Sequence, residues 1–82
     1  MTAYRQRALD CALALLDGER RSRDLGAHLP DATKVLYRNV YGWFERVGTG
    51  RYRLTEAGEI AARAWLVETA SAAIGSKATI GD

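Results

Sequence analysis

Residues 43–55 read Trp43-Phe44-Glu45-Arg46-Val47-Gly48-Thr49-Gly50-Arg51-Tyr52-Arg53-Leu54-Thr55. Two runs rich in aromatic and β-branched residues flank a glycine-containing turn, which is the pattern of a β-hairpin. Side chains alternate across a strand, so Tyr52 and Leu54 share one face of the second run while Arg51 and Arg53 share the other. The hairpin has an apolar face to bury and an arginine face for solvent. Trp43 and Phe44 are consecutive, so as strand residues they point to opposite faces and only one of them fills the core.

Downstream, Thr55-Glu56-Ala57-Gly58-Glu59 opens a helix, with Thr55 as N-cap and two acids at the positive end of the helix dipole. Ile60, Ala64, Val67 and Ile74 recur along one stripe, and Trp65 and Leu66 fall off it. Apolar residues outside the core stripe suit a homodimer built from the first and last helices, with Trp65 and Leu66 at its interface. From Gly75 onward no periodicity remains, so residues 75–82 are expected to form a disordered tail behind a single domain over 1–74.

Upstream, Asp31 can cap a helix over 32–41 that turns Ala32, Val35, Leu36 and Val40 inward. Lys34 and Arg38 share its opposite side, with Tyr41 at the edge, and Gly42 suits the left-handed closing position. Pro30 ends a preceding short helix, Ser22 to Leu29, with Ser22 as its N-cap and Leu25 and Leu29 inward. Two helices joined this tightly must cross steeply, as in a helix-turn-helix. Residues 3–17 form a first helix, capped by Thr2 and stopped by Gly18, with Leu9, Ala12, Leu13 and Leu16 on its core face. The expected fold is mainly α with a small β-hairpin, in the winged helix-turn-helix order α-α-α-β-β-α.

The run Tyr52-Arg53-Leu54-Thr55-Glu56-Ala57-Gly58, preceded by Gly42-Trp43-Phe44-Glu45-Arg46-Val47 and a glycine turn, resembles the wing and following helix of bacterial winged helix-turn-helix proteins. The likeness covers roughly residues 20–64. A narrower stretch, Asn39 to Val47 followed by Tyr52 to Thr55, is similar to the C-terminal part of an uncharacterised proteobacterial family predicted to be PD-(D/E)XK phosphodiesterases. That second resemblance implies an accessory domain without the nuclease lobe. The motif needs an acid two residues before a lysine, and Lys34 and Lys77 are preceded there by Ala32 and Gly75. Nuclease activity is therefore not expected to carry over.

Length and composition narrow the function further. Eighty-two residues, 48% hydrophobic and 27% charged, make one small folded unit. One cysteine and one histidine exclude an internal disulfide framework and leave too few soft ligands for a zinc site. Cys11 reads as a small core residue and His28 as a turn residue, so no catalytic pair emerges and neither enzymatic activity, metal nor cofactor is expected. The apolar run Cys11 to Leu16 is far shorter than the roughly 20 residues of a membrane span, and no cleavable leader opens the chain, so a cytoplasmic protein is expected.

Charge is segregated. Residues 20–53 carry a net +5 and the remainder −3, within a total of +2. A polyanion responds to that local potential. The leading expectation is a small DNA-binding protein, such as a transcriptional regulator, on double-stranded DNA. Lys34 and Arg38 would enter the major groove, with Thr33, Tyr37 and Tyr41 as further phosphate or base contacts. Arg51 and Arg53 would serve the wing, and Arg20, Arg21 and Arg23 the flanking backbone. Two other readings use the same fold: an adaptor or inhibitor that binds a protein partner, and an accessory domain docked on a separate nuclease chain.

Overall fold

The computed structural model describes the backbone of residues 3–81 and the side chains of residues 3–70. In chain order the elements are α1 (Ala3–Ala14), β1 (Arg20–Arg21), α2 (Ser22–Gly26), α3 (Ala32–Arg38), β2 (Phe44–Gly48), β3 (Arg51–Leu54) and α4 (Glu56–Gly81). The helices pack around a small antiparallel sheet of order β1-β3-β2. The architecture is mainly helical and compatible with a small winged-helix-like domain.

The hairpin forms as its residues dictate. Phe44 pairs with Leu54, Glu45 with Arg53 and Arg46 with Tyr52, and an irregularity between Arg46 and Gly48 leaves Val47 as an extra residue. Gly50 closes the turn at φ 66°, where a Cβ would be strained. β1 was not expected, because two arginines carry neither period nor β-propensity. Arg20 nevertheless pairs with Tyr52, and Arg21 with Arg51. Like charges opposed across a ladder repel, and Glu19 relieves them with a carboxylate 3.3 Å from Arg51.

The core gathers Ala8, Leu9, Cys11, Ala12 and Leu15 with Leu25, Ala32, Val35, Leu36, Trp43, Phe44, Tyr52 and Ala62. α1 ends at Ala14 and its buried face is rotated from the expected one, leaving Leu13 and Leu16 at the margin. The Thr2 cap lies outside the described residues. Trp43 and Phe44 are both buried, at 7% and 4% exposure. Trp43 precedes the strand, so strand alternation does not govern it.

Several helix ends also differ. The Ser22 side chain caps nothing in α2; its backbone N–H donates instead to the Gly50 carbonyl at 2.8 Å. α3 stops at Arg38 because Asn39 turns left-handed at φ 48°, which leaves Val40 61% exposed rather than in the core. Asp31 makes no cap; it sits at φ 60° and pairs with Arg7 of α1 at 2.8 Å. In α4 the inward residues are Gly58, Ala61, Ala62 and Trp65, while Ile60, Ala64 and Val67 are exposed. The expected stripe faces solvent, because Gly58 rather than Ile60 sets the close contact with the sheet. The backbone of α4 continues past residue 74 to Gly81, and the side chain of Ile74 lies outside the described residues.

Burial, and secondarily the Asp10 charge, push the Cys11 thiol up to about 11 from its ordinary 9.0. The unfolded thiol therefore loses its proton first as pH rises, and stability contributed by the folded thiol should fall between pH 9 and 11 while being flat below. Cys11→Ala should show a shallower alkaline loss of urea midpoint than the parent; parallel curves would exclude the thiol as the cause.

Candidate functional site

α3 and the hairpin enclose a surface hollow of about 530 Å³ lined by Ser22, Thr33, Lys34, Tyr37, Arg46, Gly50 and Tyr52. The positions follow from helix and strand geometry. Thr33, Lys34 and Tyr37 lie on one side of α3, one turn apart. Arg46 and Tyr52 are direct cross-strand partners and project from the same face of the sheet. Arg46 Nε donates to the Gly48 carbonyl at 3.3 Å, which ties its guanidinium to the turn.

A second hollow, about 320 Å³, adjoins the first across Ser22 and Gly50 and is lined by Arg21, Arg23, Thr49 and Arg51 as well. Five cations line the two hollows, Lys34 and Arg46 the first and Arg21, Arg23 and Arg51 the second, and the hollows meet at Ser22 and Gly50. Of these, only Arg51 forms an ion pair with a carboxylate among the described residues. That bridge is about half exposed on both sides, the class in which net attraction is roughly 0–1 kcal/mol, so Glu19 attenuates the Arg51 charge without cancelling it.

The remaining basic candidates go elsewhere. Arg20 Nε donates to the Ala14 carbonyl at 3.2 Å, and Arg20 lines a cleft between α1 and α2 that also holds Asp10, Asp17, Asp24 and His28. Arg53 is bridged to Glu45 at 2.9 Å, and that hydrogen bond and charge raise its pKa further. It lines a separate hollow with Glu19 and Glu59. Arg38 is exposed at the end of α3 and lines neither basic hollow. Tyr41 lies beyond α3, stacked on Trp43 at 4.7 Å between ring centroids, with the Arg5 guanidinium 5.7 Å from its own centroid.

Two residues gain places that sequence reasoning did not give them. Arg46 belongs to the hollow because it faces the same way as Tyr52, a relation legible only once the hairpin register is fixed. Ser22 sits at the junction of both hollows because the unanticipated β1 draws the start of α2 against the turn. Of the two residues expected at a dimer interface, Trp65 is partly buried at the core margin and Leu66 is 46% exposed.

Among the described residues, no three His, Cys, Asp or Glu side chains are grouped to hold a metal ion, and no helix is long and apolar enough to cross a membrane. Residues 1–61 match the family model described as "Putative PD-(D/E)XK phosphodiesterase (DUF2161)". The chain belongs to this family. The match runs from α1 through β3 into the first turns of α4, well beyond the hairpin and the loop before it. It corrects the expectation of a protein without enzymatic activity, because the family is described by a phosphodiester-cleaving fold. No curated protein and no solved structure matches the chain.

Proposed function

We propose that this member of the PD-(D/E)XK phosphodiesterase family grips DNA for phosphodiester cleavage, with α3 against the major groove and the β2–β3 turn on the phosphate backbone. The observation that supports it is that Lys34 and Arg46 line one hollow, Arg21, Arg23 and Arg51 line the next, and the two hollows meet at Ser22 and Gly50. Phosphate contacts fix the register of a protein on the duplex. Neither Lys34 nor Lys77 has an acid two residues before it, so this surface would hold the scissile strand while the acids and lysine named in the family motif come from a separate nuclease chain. Asp31, which as a helix cap would have repelled DNA, is instead engaged by Arg7 on the α1 side.

Each phosphate contact releases counterions, so log affinity falls with log salt by roughly 0.9 per contact. Lys34→Ala/Arg46→Ala is expected to weaken binding to random blunt duplex and to flatten the salt slope by about two. Both side chains are exposed, so folding should be unaffected. Arg53→Ala serves as the control and should leave the slope in place. An unchanged slope in the double variant, read by fluorescence anisotropy, overturns the reading.

A further inference from the structure

The first hollow contains more than phosphate binding requires. Tyr37 is 77% exposed at its edge, although it belongs to a helix whose other large apolar residues, Val35 and Leu36, are almost completely buried. Tyr52, 8% exposed, lies in its wall, and the hydroxyl-bearing Ser22 and Thr33 flank it. Its volume of about 530 Å³ falls within the range of small-ligand pockets. Lys34 and Arg46 border this space and form no ion pair among the described residues. An aromatic ring left in water beside two unpaired cations fits a molecule with both a flat apolar face and a negative charge.

We infer that the hollow between α3 and the hairpin seats a single unpaired nucleotide, so that the preferred substrate is DNA with an unpaired nucleotide beside a duplex. The base stacks on Tyr37, its phosphate lies between Lys34 and Arg46, and the strand passes over Ser22 and Gly50 toward Arg21, Arg23 and Arg51. In an intact duplex the base faces are covered by their neighbours and cannot reach the ring. Every base has a π-face, so such a seat is tolerant of sequence. This inference rests on the proposed grip of DNA and adds to it which DNA is gripped.

The test compares a blunt duplex with the same duplex carrying a 5′ or 3′ single-stranded overhang, and with an RNA overhang of the same sequence, by anisotropy at two salt concentrations. One stacked base is expected to make at least one overhang duplex bind about tenfold tighter than the blunt form. Tyr37→Ala should bring that ratio close to one, and Tyr37→Phe, which keeps the ring, should preserve it. The DNA and RNA arms distinguish which polynucleotide supplies the strand. Equal binding of blunt and overhang duplexes, or a ratio that Tyr37→Ala leaves intact, overturns the nucleotide seat while the DNA grip stands. No binding to any duplex overturns both.

Discussion

Gly58→Ala is expected to destabilise the domain by about 3 kcal/mol, the upper part of the range for overpacking. Alanine normally helps a helix, by roughly 1 kcal/mol over glycine, so the sign of the effect tests the structure. A Cβ at Gly58 would collide with the carbonyl oxygen of Trp43 and lie 2.9 Å from both the Trp43 carbonyl carbon and Leu54 Cδ2. The leucine tip can rotate away. The carbonyl cannot, because it accepts the Thr55 N–H at 2.9 Å while Thr55 Oγ1 donates to the Gly42 carbonyl at 2.7 Å. Thr55 also accepts the Gly58 N–H at 3.1 Å, so one residue both caps α4 and pins it to the start of β2. For 82 residues a total stability of about 4–12 kcal/mol is usual, and a loss of 3 leaves little of the lower figure. A urea midpoint at or above that of the parent would show that α4 does not approach the sheet this closely.

The segment around Gly58 also shows what could be read from the sequence and what could not. Thr55 as a cap and the alternation of Tyr52 and Leu54 against Arg51 and Arg53 follow from local chemistry, and the structure has both. The core stripe of α4 did not follow, because periodicity identifies an apolar face but not the neighbour it meets. Gly58 turns Ala61, Ala62 and Trp65 inward, and Ile60 and Val67 stay in water. The candidate site divides in the same way. Thr33, Lys34 and Tyr37 were legible from their places on one short helix. Arg46 required the pairing register, and Arg20 and Arg53 were drawn off by Ala14 and Glu45, contacts that no spacing in the chain announces.

Asn39 offers a second large effect, at the joint that sets α3 relative to the hairpin. Its side chain donates from Nδ2 to the Phe44 carbonyl at 2.8 Å and accepts the Phe44 N–H through Oδ1 at 3.0 Å. The same residue occupies the left-handed region at φ 48°, which asparagine tolerates far better than alanine does. Asn39→Ala should therefore cost about 3 kcal/mol, with roughly 1 from each hydrogen bond and 1 from the backbone. Asn39→Gly keeps the backbone conformation and loses only the bonds, so the urea midpoints should fall in the order parent, glycine, alanine. If glycine matched the parent, the two bonds to Phe44 would contribute nothing; if it matched alanine, the left-handed turn would not be what selects asparagine. Because Lys34 and Tyr37 stand on α3 and Arg46 on β2, loosening this joint also alters the width of the hollow between them. The glycine variant, under conditions where it remains folded, is accordingly expected to lose part of the preference for overhang over blunt duplex, although residue 39 lines neither basic hollow. A glycine variant that is destabilised yet keeps the full preference would show that α3 is held against the hairpin by the core alone.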